Sequence, residues 1–187
     1  DGYVYYDGLT GGGTRGLMRV RPSGGSLEQM TTVDTLKGEV DHFWPQALPD
    51  GRGVLFTIQK RSTREATDVA VLDSKTGTYH TLVRGLTARY SPTGHLVYVT
   101  EGGDLMAAPF DLRKLAVTGE AFALTSGVAG RAFGAVDLVL SNTGTLMYEQ
   151  GAQVSGSAEV VYVTRQGLAT TVDSGWTGNF QTVALSP

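Results

Sequence analysis

Of the chain's 187 residues, 41% are hydrophobic and 18% charged, a globular balance that excludes an intrinsically disordered segment. A net charge of −3 without clustered Lys and Arg gives no reason to expect nucleic acid or an anionic membrane as partner. Cysteine is absent, which excludes disulfides and thiolate metal ligands, and no apolar run approaches the roughly 18 residues of a membrane-spanning helix.

Twenty-six glycines are spread along the chain without a collagen period, so they punctuate many turns between short elements, which favours an all-β fold. The chain starts at Asp1 with no signal-peptide pattern, and is expected to be processed or a piece of a longer chain. Asp1-Gly2 opens a strand over residues 3–6. Gly11-Gly12-Gly13-Thr14-Arg15-Gly16 looks like a phosphate cradle, but that chemistry needs a helix after it, and residues 17–20 alternate as a strand; a hairpin loop is expected. A polar turn at Gly24-Gly25 precedes a short outer strand over 27–31.

Leu48-Pro49-Asp50-Gly51 then leads into an apolar run over 54–58, with a further strand over 68–72. Asp73-Ser74-Lys75-Thr76-Gly77 has calcium-loop-like spacing, but its central lysine and the lack of a later bidentate Glu make it a turn, followed by an outer strand over 79–83. Ser91-Pro92-Thr93-Gly94 repeats the motif before residues 96–99, and strands over 105–110 and 121–125 follow, joined by a longer bend at Thr118-Gly119. Ser141-Asn142-Thr143-Gly144 repeats it again before 146–148, with strands over 160–163 and 169–172 around Gln166-Gly167. Leu185-Ser186-Pro187 is the first half of a motif whose second half is Asp1-Gly2.

In each motif proline presets the first turn residue, a polar residue bonds back to the backbone and glycine accepts positive φ, so the flanking runs can pair as a hairpin. The turn glycines Gly2, Gly51, Gly94 and Gly144 are 49, 43 and 50 residues apart. Two turns and four strands per period of about 40–50 residues describe a propeller blade. The expected fold is an all-β propeller of four-stranded antiparallel blades, about four blade-equivalents: 1–38 completed by 179–187, then 39–84, 85–127 and 128–178. A β-sandwich with similar hairpins is the alternative that the unequal periods leave open.

Pro45-Gln46-Ala47-Leu48-Pro49-Asp50-Gly51 resembles the Pro-x-x-Ser-Pro-Asp-Gly signature of TolB-like, WD-repeat-like propeller repeats, with Leu48 where serine is usual. His42-Phe43-Trp44-Pro45-Gln46 and residues 108–120 resemble propellers attached to bacterial serine/threonine protein kinases. That resemblance implies six blades, a sensory or scaffolding role after a kinase domain, and an extracytoplasmic location. No kinase motif is present in the chain itself.

His42, His80 and His95 fall in different registers of the repeat, so no shared metal site is expected, and no cofactor is expected either. Ser91, Ser141 and Ser186 lack a Gly-x-Ser-x-Gly setting, so nucleophilic catalysis is not expected. The candidate binding residues are aromatic and charged groups just ahead of the innermost strands, where propellers present one face around the channel: His42, Phe43, Trp44, Arg89, Arg131, Phe133, Asp137, Trp176 and Phe180. Trp and Arg are favoured at binding hot spots, although Trp44 and Trp176 packing between blades as core is the competing reading.

The leading expectation is a non-catalytic module that presents this face to a protein or peptide. Its rivals are the accessory or gating propeller of a prolyl-oligopeptidase-like hydrolase, a lactonase using Asp137 and Asn179, and self-assembly through the terminal strands, giving a homo-oligomer. Fold alone does not choose among them.

Overall fold

The computed structural model describes residues 2–9, 15–60, 67–131, 134–141, 143–151, 158–159, 161–163 and 169–178. The chain divides into two units, Asp1–Ala152 and Gln153–Pro187. The paired ends expected at 1–6 and 181–187, and the glycine loop over 10–14, fall wholly or partly outside the described residues.

In the first unit the antiparallel sheets follow one another along the chain. The first joins β1 (Val4–Leu9), β2 (Arg15–Val20) and β3 (Glu28–Gln29). The second joins β4 (Glu39–Ala47), β5 (Gly53–Lys60), β6 (Thr67–Asp73) and β7 (Tyr79–Arg84) in sequence order. The third joins β8 (Thr87–Ser91), β9 (His95–Val99) and β10 (Leu105–Asp111), with β11 (Ala116–Val117) and β12 (Phe122–Thr125) both on the outer edge of β10. A hairpin of β13 (Leu138–Leu140) and β14 (Leu146–Tyr148) begins the fourth. These meandering sheets are the blades of a β-propeller.

Five strands rather than four in the third sheet follow from Pro109. Its carbonyl accepts the Thr118 amide at 2.9 Å, so the outer edge of β10 is where its missing N–H falls. Phe110 and Asp111 pair with β11, Leu105 to Ala107 pair with β12, and the edge changes partner at the proline.

Blade-on-blade packing explains why the central strands are apolar at nearly every position. In β5, Val54, Phe56 and Ile58 pack with Leu17 of the first blade, while Leu55 turns to the third blade and meets Leu96, Tyr98 and Phe110. In β9 the alternation repeats, with Leu96 and Tyr98 facing the second blade and Val97 and Val99 facing Leu138 of the fourth. A strand buried on both faces has no polar face to show. The repeat turns are alike in detail: Gly94 and Gly144 have φ of 81° and 90°, and their amides donate to the Ser91 and Ser141 carbonyls at 2.9 and 3.1 Å.

The second unit holds two short ladders, β15 (Ala158–Glu159) with β18 (Thr177–Gly178) and β16 (Val161–Val163) with β17 (Ala169–Thr171).

Candidate functional site

The first strands of three successive sheets supply the site. Trp44 lies within β4, Arg89 within β8, and Asp137 immediately before β13, rather than ahead of their strands as the sequence suggested for the first two. A cleft of about 550 Å³ is lined by Trp44, Arg89, Asp137, Leu138, Tyr148 and Glu149, among others.

Trp44 reaches the cleft through a β-bulge. Phe43 pairs with Thr57 and Gln46 with Leu55, so Trp44 and Pro45 together stand opposite Phe56. Pro45 can donate no ladder bond, and Trp44 takes φ of 56°, a left-handed conformation unfavourable for a bulky side chain. Trp44 is 42% exposed and its ring lies 6.2 Å from the half-buried Phe43 ring, so Trp44 is not core.

Arg89 is half-buried. Its Nη1 donates to Thr87 Oγ1 at 3.1 Å and to the Ala88 carbonyl at 2.9 Å. Desolvation holds its guanidinium below the usual arginine pKa, and no carboxylate acts against that shift. Arg131, by contrast, places Nη2 2.6 Å from both Asp137 Oδ2 and Glu149 Oε2. The hydrogen bond to Glu149 raises the Arg131 pKa, and the same bond lowers that of Glu149. The backbone ties these groups together, because the Glu149 amide donates to the Asp137 carbonyl at 3.1 Å.

His42 departs from its expected place on the binding face. It is 0% exposed, enclosed between the first and second blades. Its Nδ1 is 2.8 Å from Thr31 Oγ1 and its Nε2 3.1 Å from Glu39 Oε2, which also accepts from the Tyr79 hydroxyl at 2.7 Å. Hydroxyl, imidazole and carboxylate line up here as in a nucleophilic triad, but all three are buried and Thr31 Oγ1 accepts the Leu17 amide at 2.9 Å. The array joins blades. His80 Nε2 meets the Leu115 carbonyl at 3.0 Å and His95 Nδ1 meets Thr93 Oγ1 at 3.0 Å, in separate settings. At the calcium-like turn, the Asp73 carboxylate accepts from Arg52 Nη1 at 2.6 Å and the Lys75 amide at 2.8 Å, which lowers its pKa to about 2.

Trp176 lies in the second unit, exposed at the end of a turn that starts at Asp173, whose carbonyl accepts the Trp176 amide at 3.0 Å. Phe133, Phe180 and Asn179 fall outside the described residues. The structure thus gathers Trp44, Arg89 and Asp137 in one cleft, with Arg131 joined through its ion pairs. Sequence reading missed Tyr148, the last residue of an ordinary-looking strand, and Glu149, which follows it; the alternation of residues 146–149 carries no sign that Glu149 is paired with Arg131.

No family model matches the chain, and no curated protein does. Two solved structures resemble it. One is a calcium-binding protein, regucalcin, from Agrobacterium tumefaciens strain C58, at 17% identity and a TM-score of 0.51 over 88% of this chain and 57% of that one. The other is the β-propeller domain of the Trilobed protease from Pyrococcus furiosus, at 12% identity and a TM-score of 0.47 over 86% of this chain and 57% of that one. The chain spans 57% of the length of each. Likeness at this level speaks to fold and not to activity. Successive antiparallel meander sheets, a four-stranded one among them, and the likeness to regucalcin agree that this chain is part of a β-propeller.

Proposed function

We propose that the chain is a non-catalytic propeller module that binds a protein or peptide partner at the cleft formed by Trp44, Arg89 and Asp137. The observation that carries this reading is Trp44 itself. A large aromatic residue in the left-handed region carries strain on the order of 1–3 kcal/mol, and such strain concentrates at ligand clamps. The bulge presents the ring to the cleft, beside an arginine, in the residue combination favoured at hot spots. The resemblance of residues 42–46 and 108–120 to kinase-attached TolB-like propellers extends the proposal to a sensory role, which the flanking gene sequence tests: a kinase upstream supports it, and its absence removes it.

Trp44→Gly tests the binding role without confusing it with stability, because glycine takes φ of 56° freely. Peptides selected from a displayed library on the wild-type chain are expected to bind the variant at least about tenfold more weakly, consistent with loss of a hot-spot aromatic. The melting temperature is expected not to fall. Equal binding to both chains, or selection of no peptide, overturns the proposal.

A further inference from the structure

We infer that the cleft recognises a side-chain carboxylate of a peptide, received by the free edge of Arg89 while an adjacent apolar side chain of that peptide rests on Trp44. This deepens the binding-module reading and depends on it.

The argument starts from which cleft charges are already matched. Asp137 and Glu149 share Arg131, at 2.6 Å each. Arg89 has no carboxylate within ion-pair distance among the described residues, although both acids line the same cleft. Its hydrogen bonds to Thr87 and Ala88 come from Nη1 alone. The Nε and Nη2 hydrogens therefore lack an acceptor among the described residues, and together they form the planar fork that receives a carboxylate bidentately. A guanidinium withdrawn from water without a counter-ion is unfavourable, and a bound carboxylate relieves that.

Ligand class follows from the neighbours. Arg131 with its two acids carries a net negative charge, so a doubly charged phosphate would be repelled more strongly than a single carboxylate. Trp44 and Tyr148 give the cleft aromatic walls, which suit an apolar group beside the charge. The cleft crosses the first strands of three sheets and is open, so it takes a chain in passing, and the carboxylate is that of a side chain and not of a chain end.

The test uses the full chain carrying Trp176→Phe, which leaves Trp44 as its single tryptophan reporter. Three probes are titrated against its fluorescence: N-acetylated, amidated Phe-Glu; the same dipeptide with Gln for Glu; and N-acetyl-phenylalanine, which carries only a terminal carboxylate. The acidic dipeptide is expected to bind at least about tenfold more tightly than its Gln counterpart, the discrimination a charge-assisted bidentate pair supplies. Arg89→Gln is expected to erase that preference while leaving the weak binding of the Gln dipeptide in place, and Arg89→Lys to restore only part of it, because lysine keeps the charge without the fork. Thermal melts of both variants establish that they are folded. Equal affinity for the two dipeptides overturns carboxylate recognition while the binding module stands. Equal affinity for N-acetyl-phenylalanine and the acidic dipeptide overturns the side-chain assignment, and no fluorescence response to any probe at millimolar concentration overturns the inference as a whole. The binding-module reading fails separately, on the Trp44→Gly comparison.

Discussion

His42 shows what burial does to a group that titrates near neutral pH. Desolvation lowers its pKa, and Glu39 and Asp41, the acids near its ring, only partly oppose that. Tyr79 and Asp34 reach the same carboxylate through the Tyr79 hydroxyl and the Asp34 amide, and Arg15 pairs with Asp41 at the edge of the array. Between the lowered folded value and the unfolded value of about 6.5, the unfolded chain binds more protons, so stability rises with pH across that window. The melting temperature is therefore expected to fall as pH drops below about 6.5 and to level off once pH passes below the folded value. His42→Gln keeps hydrogen-bonding capacity toward Thr31 and Glu39 without a titrating ring. Its melting temperature is expected to lose that dependence between about pH 6.5 and 5. Wild type and variant falling in parallel over that window would show that the buried imidazole is not the source. No local feature of the sequence separated this histidine from a binding-face residue. Its environment is made by Thr31 and Tyr79, which are distant along the chain.

At the scale of single strands, the legible features were those whose cause is local. Ser91, Thr93 and Gly94, and likewise Ser141, Thr143 and Gly144, hold their turns with local bonds, with Ser91 Oγ 2.8 Å from Thr93 Oγ1 and Ser141 Oγ 3.0 Å from Thr143 Oγ1. The bulge at Trp44 runs against local preference and had no such signal, since it depends on pairing with β5. Gly53 is a third kind of position, where the constraint comes from the neighbouring strand and the next blade. A Cβ there would lie 2.4 Å from the Leu72 carbonyl oxygen and 3.4 Å from Leu115 Cδ1. Gly53→Ala must push β5 from β6, so a loss of about 1–3 kcal/mol in urea unfolding is expected. The double variant with Leu115→Ala is expected to recover none of it, because the closer contact is backbone. Rescue by Leu115→Ala would place the strain at the blade interface instead.

Across the first unit, stability should follow how many neighbours each blade has, because each blade packs on the next and, among the described residues, the central ones are covered on both faces. β5 and β6 have the first blade on one side and the third on the other, and six of the seven β6 residues are buried. In the fourth sheet, Leu138 is buried against the third blade while Val139 and its cross-strand partner Met147 are exposed. Opening β13 and β14 therefore exposes little further apolar surface, whereas opening β5 disrupts two cores. Native-state hydrogen exchange is expected to be slowest at the amides of Leu55 to Ile58 and Val69 to Leu72, and faster by at least about tenfold in Val139 and Met147, since about 1.4 kcal/mol of opening free energy gives that ratio. Pairing acts in the same direction as burial, because β5 and β6 are each paired on both edges while β13 and β14 pair with each other over three residues. Equal protection in both places would mean that the described blades open as one cooperative unit, and that burial on a second face adds no local stability here. The cleft proposed to receive a peptide sits across this gradient, with Trp44 on the well-covered second sheet and Leu138 and Tyr148 on the more open fourth. A ligand that bridges them is expected to slow exchange most in β13 and β14, the side with stability to gain.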